Sequence, residues 1–221
     1  MDIKNQIQNQ KTWDSIAKSF DKTRKRPWAQ CISFINKIPR NSVIADIGAG
    51  NGRHLIPAAK QCKKAIAFDI SLNLLKIIKE KIEKKQIKNI DLIQTNSVKL
   101  PIKNNSFDYI LYIASLHNIK GKSNRIKSLE EIKRVLKKDG RALISVWSLD
   151  QEKFSKNNQN KNGDFQVYWR QDGLNIARFY HLYKKNEFKD DLIKSGFKII
   201  DFKEEKIVSK KYPDNYFAEV K

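Results

Sequence analysis

Short apolar runs alternate with helix-like spacings of apolar residues along the middle of the chain. The first run, residues 42–47, is continuous and leads into glycines, which is typical of a buried parallel strand. Residues 72–85 and 123–138 place apolar side chains at helical spacing between later strands. This alternation predicts an α/β fold with a Rossmann-like, doubly wound and mostly parallel seven-stranded sheet, covered by helices on both faces. The four further strand candidates in this core are residues 65–69, 91–95, 108–113 and 141–147.

Two helices are predicted ahead of the first strand, within residues 1–41. Residues 12–20 carry apolar side chains at helical spacing. Pro27 suits the first turn of a second helix that runs through Ile38. Within the core, Gly140 is predicted to end the helix over 123–138 as a glycine C-cap.

After the core, which spans residues 42–147, the chain divides into a predicted loop and an ordered end. Residues 148–178 are predicted as a loop insertion, because 153–173 is polar and rich in Asn, Lys and Gln; a loop of that length is functional or disordered. Residues 179–221 are predicted to resume order and complete the sheet on the substrate side, with a helix over 186–195 and a strand pair over 197–206 and 216–220. A chain of 221 residues suits one domain made of all these parts.

Charge adds one candidate partner to this picture. The chain has 45 Lys and Arg against 24 Asp and Glu, a formal net charge of +21, which attracts polyanions such as nucleic acid. A lysine-rich composition without any ligand explains the same charge equally well. Cys31 and Cys62 lack CxxC or His-rich spacing, so we predict free thiols and no metal site. No apolar run approaches the length of a membrane span and the start lacks an apolar signal core, so we expect a cytoplasmic protein without membrane attachment.

A glycine-rich turn directly follows the first predicted strand. Residues 46–52 read Asp-Ile-Gly-Ala-Gly-Asn-Gly, and Gly48 and Gly50 allow a ligand to approach the backbone closely. The GxGxG pattern and the carboxylate of Asp46 disfavour the diphosphate of NAD, and that carboxylate favours a cationic amino acid portion. Asp69 ends the second strand, where a carboxylate can accept hydrogen bonds from ribose hydroxyls.

An ordered set of motifs resembles class I S-adenosylmethionine-dependent methyltransferases: residues 46–52, 68–71, 100–101, 107–108 and 134–140. The resemblance implies S-adenosylmethionine as the cofactor. Many relatives carry an acidic residue at the position of Asn96, where it binds the adenine amino group; Asn can accept that bond through its carbonyl oxygen. The residues that the resemblance assigns to the cofactor are Asp46, Gly48, Gly50, Asn51, Asp69, Ile70, Asn96, Ser97 and Ile113.

The methyl acceptor is read from residues 109–118, around the end of the fourth predicted strand. Enzymes that methylate exocyclic amines have an Asn/Asp-Pro-Pro-aromatic motif there, and cytosine C5 enzymes need a Cys nucleophile. This segment contains neither. We therefore expect an oxygen or a small molecule as acceptor.

A finer resemblance extends beyond the cofactor motifs, from Trp13 to about Phe197. The segments resemble tRNA wobble-uridine carboxyl-methyltransferases, a family that includes the methyltransferase domain of the AlkB-homologue 8 protein. That family esterifies the carboxylate of 5-carboxymethyluridine in the tRNA anticodon loop. The segments that carry this resemblance are residues 13–17, 23–28, 113–117, 145–148 with Gln151, and 178–183.

A carboxylate acceptor fits the available side chains. It is already ionised at neutral pH, so it needs cationic donors for orientation and no general base. Each of these side chains can also be an ordinary packed residue. The candidates for orienting the acceptor are Arg24, His117, Arg178 and His181, and those for stacking on a flipped-out base are Trp28, Trp147, Trp169 and Tyr180.

Two further expectations come from the family. Its members have two neighbouring histidines after the fourth strand, whereas this chain has His117 and Asn118, which changes how the carboxylate is held if the second histidine contacts it. They also act with a small zinc-binding activator protein that pairs with the sheet edge, so we expect a heterodimer. Two alternatives stay open: a small-molecule methyltransferase of the quinone or sterol kind, and a non-catalytic RNA-binding subunit.

Overall fold

A computed structural model describes residues 3–155, 162–206 and 211–221 of the chain. Its main sheet has seven strands in the order β3-β2-β1-β4-β5-β9-β8. The first five strands in chain order run parallel, and β9 and β8 pair antiparallel beyond β5. The doubly wound, mostly parallel sheet predicted from the apolar pattern is confirmed. These strands are β1 (Val43–Ile47), β2 (Lys64–Asp69), β3 (Ile90–Gln94), β4 (Phe107–Ile113), β5 (Leu136–Trp147), β8 (Ile199–Glu205) and β9 (Asn215–Val220).

Helices cover both faces of the sheet and bury an apolar core on each. One core includes Ile35, Leu55 and Ile78, and the other includes Ile132 and Phe188; all are 2% exposed or less. Shielding both faces explains the nearly continuous apolar runs of the central strands. The helices are α1 (Ile3–Thr23), α2 (Ala29–Ile35), α3 (Leu55–Gln61), α4 (Leu72–Lys84), α5 (Lys122–Val135), α6 (Glu152–Ser155) and α7 (Lys185–Lys194), with a 3₁₀ turn at Leu116–Asn118.

The predicted glycine C-cap at Gly140 is wrong. Helix α5 ends at Val135, and Gly140 lies inside β5 without a positive φ. A Cβ atom at this position would be 2.9 Å from the carbonyl oxygen of Asp108. The glycine therefore permits close approach of β5 to β4, where the register between the two strands shifts.

The predicted loop over residues 153–173 is also wrong in part. Residues 164–169 form β6 (Asp164–Trp169), which pairs antiparallel with β7 (Ile176–His181) in a separate two-stranded hairpin. The alternation that defines this strand is visible in burial, since Val167 and Trp169 are buried and Tyr168 is exposed. The hairpin packs against α1 and against the 3₁₀ turn.

Strand order reverses between the neighbouring strands β1 and β4, which pair in parallel over residues 44–46 and 109–111. In open parallel sheets, ligands bind outside the carboxyl ends of the strands at such a reversal.

Across the three described ranges, we find no helix with the length and apolarity to cross a lipid bilayer.

Candidate active site

A cavity opens at the carboxyl ends of β1, β2 and β4. Helix α1, strand β7 and the 3₁₀ turn also contribute residues to its lining. Eight of the nine residues assigned to the cofactor line it, and the ninth, Asp46, lies on β1 just before the turn. The eight lining residues are Gly48, Gly50, Asn51, Asp69, Ile70, Asn96, Ser97 and Ile113.

The glycine turn after β1 depends on the absence of a side chain at Gly48. This residue has φ +68°, and a Cβ atom would lie 2.1 Å from the Ser115 hydroxyl oxygen. That hydroxyl instead donates to the Gly48 carbonyl oxygen at 3.2 Å. The turn and the end of β4 are therefore fixed against each other.

Asp69 is anchored by main-chain N–H groups on both of its oxygens. Gly50 N–H donates to Oδ2 and Ser71 N–H donates to Oδ1, each at 2.8 Å. Burial raises the Asp69 pKa to about 6, against the lowering effect of these two hydrogen bonds. Each carboxylate oxygen keeps a second lone pair, so Asp69 retains acceptor capacity for ribose hydroxyls. Helix capping falls to Ser71, whose hydroxyl accepts from Leu74 N–H.

Asp46 is a buried carboxylate without a full set of partners. It is 1% exposed, and its Oδ2 atom has no hydrogen bond in the described part of the chain. Burial, and then the negative charge of Asp69, raise its pKa to about 8. A cation bound beside it would stabilise the ionised form.

The adenine side of the site differs from the expectation for Asn96. Its Oδ1 atom accepts from Val98 N–H at 3.1 Å, and its Nδ2 atom is buried without a partner among the described residues. The group left for a ligand is therefore a donor, which suits an adenine ring nitrogen. To bind the adenine amino group, Oδ1 must take a second hydrogen bond.

Helix α1 is tied to the cofactor turn by polar side chains. The Oδ1 atom of Asp14 accepts from Ser71 Oγ at 2.6 Å and from Asn73 N–H at 2.9 Å. Asn51 Nδ2 donates to Asp21 Oδ1 and to the Arg24 carbonyl oxygen, each at 2.8 Å. The helix that covers the site is thus connected to the residues that surround the cofactor.

Arg24 and Arg178 lie over the same indole. Their Cζ atoms are 5.4 Å and 5.0 Å from the ring centroid of Trp169. Trp169 is buried, and its Nε1–H donates to Ser19 Oγ at 2.9 Å, which fixes the ring. Burial, and then repulsion from Arg24, lower the pKa of Arg178 against the attraction of Tyr180. Both guanidiniums line the cavity, and neither forms an ion pair with a described carboxylate.

An aromatic wall forms the end of the cavity near β5. His117 stacks on Tyr180 with ring centroids 5.0 Å apart, and Trp147 lies 4.7 Å from the same tyrosine. Arg178 donates to the Tyr180 hydroxyl at 2.6 Å. Three of the four orienting candidates and two of the four stacking candidates therefore meet here: Arg24, His117 and Arg178, with Trp147 and Tyr180.

His181 and Trp169 lie outside the cavity lining. His181 is 3% exposed, and its two ring nitrogens bind Asp164 at 2.7 Å and Glu187 at 2.8 Å. It connects β6, β7 and α7, so its place in the structure is that of a support for the hairpin. Trp169 likewise acts as a support, because its ring lies beneath the guanidiniums of Arg24 and Arg178.

Trp28 lines the cavity but is engaged by other groups. Arg53 lies over its ring, with Cζ 4.8 Å from the centroid, and Phe217 contacts it edge-on at 5.6 Å. Arg53 and the buried His54 line the cavity and were missed by sequence reasoning. Arg53 directly follows Gly52, so its position in the glycine turn was the available signal. The pKa of His54 is lowered to about 3 by burial and by Arg53.

Comparison with known proteins shows similarity to methyltransferases. A methyltransferase domain model matches residues 45–144. A protein of Encephalitozoon cuniculi named as a methyltransferase is 30% identical over 196 residues, covering 86% of each chain. The tRNA (carboxymethyluridine(34)-5-O)-methyltransferase of Schizosaccharomyces pombe is 29% identical over 212 residues, covering 86% of this chain and 88% of the relative.

A longer relative matches over a part of its length. The tRNA (carboxymethyluridine(34)-5-O)-methyltransferase alkbh8 of Xenopus tropicalis is 35% identical over 147 residues, which is 66% of this chain and 22% of that protein. Among solved structures, an S-adenosylmethionine-dependent methyltransferase from Clostridium acetobutylicum has a TM-score of 0.72 at 16% identity, covering 95% of this chain and 98% of that one. The structural likeness confirms the fold.

Proposed function

The chain belongs to the methyltransferase family, and on that premise we propose that it transfers the methyl group of S-adenosylmethionine to the carboxylate of 5-carboxymethyluridine at the wobble position of tRNA. The Schizosaccharomyces and Xenopus relatives, both named as tRNA (carboxymethyluridine(34)-5-O)-methyltransferases, support this substrate. The observation that carries the proposal is the pair of guanidiniums, Arg24 and Arg178, held over Trp169 beside the aromatic wall.

The guanidinium groups of Arg24 and Arg178 have no carboxylate partner among the described residues, so they are suited to bind the carboxylate of a ligand. Arg178 is 6% exposed and its Nε atom has no partner among the described residues, so a bound anion would relieve a buried charge. An apolar quinone or sterol acceptor would leave both guanidiniums without a counter-charge. The site therefore favours the carboxylate over the small apolar alternatives.

Methyl transfer to a carboxylate needs alignment and no proton removal. When bound, S-adenosylmethionine would supply an electrophilic methyl group on a sulfonium whose sulfur leaves as a neutral thioether, so the acceptor carboxylate has only to be aligned with that methyl group. Arg24 and Arg178 hold the acceptor in line, and neutral His117 donates to it from Nε2.

The base that bears the carboxymethyl group has to leave the anticodon stack to reach this cavity. The ring centroids of Tyr180 and Trp147 lie 4.7 Å apart, and both side chains line the cavity. Stacking on aromatic side chains is the usual way in which proteins hold an unstacked RNA base. The net charge of +21 supports binding of the surrounding phosphates, so RNA binding belongs to the same proposal.

A partner protein is part of the proposal. Strand β3 is an edge of the main sheet and pairs only with β2 among the described strands. Its outer edge offers main-chain donors and acceptors for another strand. A small zinc-binding activator that pairs there would form a heterodimer. We place this assembly with tRNA in the cytoplasm.

The test compares two tRNAs that differ in one group. The purified chain, with the activator supplied, is incubated with radiolabelled S-adenosylmethionine and tRNA that carries either 5-carboxymethyluridine or plain uridine at the wobble position. We expect label in the first tRNA alone. Equal labelling of both, or labelling of plain uridine alone, would overturn the carboxylate as acceptor. Binding of S-adenosylmethionine with no transfer to any RNA would favour the non-catalytic alternative.

A further inference from the structure

Arg53 is a cation in the cavity that the proposed reaction has not used. It lines the cavity beside the glycine turn and has no ion pair with a carboxylate of the described residues. Its guanidinium lies over Trp28, which fixes its position. Burial, and then repulsion from Arg24, lower its pKa to about 10. This partly buried guanidinium is therefore available to an anionic group of a ligand.

The position of Arg53 separates it from the acceptor end. Arg53 directly follows Gly52 of the turn whose Gly50 N–H binds Asp69. Arg24 and Arg178 share Trp169, whereas Arg53 has Trp28 as its own platform. Arg24 lowers the pKa of both other arginines by repulsion. The guanidiniums nevertheless rest on two different indoles, which allows the cavity to bind two anionic groups.

Arg53 also forms a complementary pair with Asp46. The electrostatic influence of Asp46 reaches Arg53, although the two form no ion pair within 4.0 Å. Among the described residues, Asp46 Oδ2 is buried without a hydrogen-bond partner, and Arg53 has no ion pair with a carboxylate. The amino acid portion of S-adenosylmethionine carries an ammonium and a carboxylate on one carbon. An acidic side chain near the end of β1 and a basic side chain just after the glycine turn match these two charges.

We infer that Arg53 binds the α-carboxylate of the methionine portion of S-adenosylmethionine, opposite the ammonium held beside Asp46. This inference rests on the cofactor of the proposed function and is independent of the acceptor. Failure to methylate carboxymethyluridine would leave it standing. Arg24 and Arg178 then keep both of their guanidiniums for the acceptor.

Decarboxylated S-adenosylmethionine, which carries hydrogen in place of the α-carboxylate, is the direct probe. Calorimetric dissociation constants are measured for S-adenosylmethionine and for this analogue on the wild type, Arg53→Gln and Arg53→Lys. We expect Arg53→Gln to raise the dissociation constant for S-adenosylmethionine about 10- to 100-fold, because a charged hydrogen-bonded pair is lost. Binding of the analogue should change less than about threefold, and Arg53→Lys should fall between the two.

The exposed Arg26, two residues before Trp28, provides the matched control. Arg26→Gln removes the same charge from the protein and should leave both dissociation constants unchanged. Equal weakening of both ligands by Arg53→Gln would overturn the inference, since it indicates a general structural effect. Unchanged binding of both ligands would also overturn it and would assign Arg53 to another anion.

Discussion

The Nδ1 atom of His117 accepts a hydrogen bond from the main-chain N–H of Trp147 at 3.1 Å. An imidazole that accepts at Nδ1 carries its proton on Nε2 when it is neutral. Burial, followed by the charge of Arg178, lowers the His117 pKa to about 3. His117 is therefore a neutral donor at physiological pH and is not a proton acceptor in the reaction.

Replacement of His117 tests this role through the pH profile. We expect His117→Gln to lower kcat/KM for carboxymethyluridine tRNA about 10- to 100-fold, because a donor to the acceptor is displaced. The shape of the profile between pH 6 and 8 should be the same in the wild type and in the variant. Steady-state kinetics across this range measures both. A wild-type inflection near pH 6.5 that the variant lacks would contradict a neutral histidine.

The fork of Arg178 should matter more than its charge. Arg178→Lys keeps a cation but loses the planar pair of donors, so we expect kcat/KM for the tRNA to fall about 10- to 100-fold. The dissociation constant for S-adenosylmethionine should change less than about threefold. Tyr180→Phe, which removes only the hydroxyl that Arg178 contacts, is the matched control and should have a smaller effect. A loss confined to affinity for S-adenosylmethionine would contradict this role, because it would show that Arg178 binds the cofactor and not the acceptor.

Asp46 makes the ligand-free protein less stable as pH rises. Its pKa is about 8 in the folded protein, against about 4 in an unfolded chain, so the folded state favours the protonated form. The stability that this group contributes is complete below pH 4 and is lost as pH rises toward 8. Asp46→Asn should therefore be more stable than the wild type at pH 8, by about 1 to 3 kcal/mol, and equally stable near pH 4. Chemical denaturation without cofactor at both pH values measures this, and equal stability at pH 8 would contradict it.

The link from α1 to the cofactor turn predicts a joint effect on stability and binding. Asp14→Ala removes the acceptor of two hydrogen bonds, so we expect the free energy of unfolding to fall by about 1 to 2 kcal/mol. Affinity for S-adenosylmethionine should fall about 3- to 10-fold, because the covering helix loses its anchor. Glu83→Ala removes an exposed ion pair with Lys79 within α4 and should change neither quantity. Unchanged cofactor affinity in Asp14→Ala would show that α1 is not coupled to the site.

Most of the residues that the sequence assigns to the cofactor line one cavity, and they could be grouped from the sequence because they are local. Asp46 lies near the end of β1, Gly48 and Gly50 lie in the turn that follows, and Asp69 ends the neighbouring strand. The fold rule that ligands bind at strand reversals then brings them together. No long-range contact has to be known for this step.

The acceptor side is less predictable, because it depends on packing between distant segments. Strand alternation places Arg178 and Tyr180 on the cavity face of β7 and His181 on the other, but the polar composition of residues 153–173 conceals the partner strand. The engagement of Trp28 by Arg53 and Phe217 joins segments 25 to 189 residues apart. Because Arg178, Tyr180 and His181 are close together in the sequence, the motif alone could not show which of them line the cavity and which support the hairpin.

The central claim is the chemical nature of the product. Hypomodified tRNA that carries 5-carboxymethyluridine is treated with the protein, its activator and S-adenosylmethionine, and the wobble nucleoside is analysed by mass spectrometry before and after mild alkali. We predict one added methyl group that alkali removes, regenerating the free acid, since a carboxylate methyl ester is hydrolysed under these conditions. An added methyl group that survives alkali would place it on the base ring or the ribose and would contradict the account.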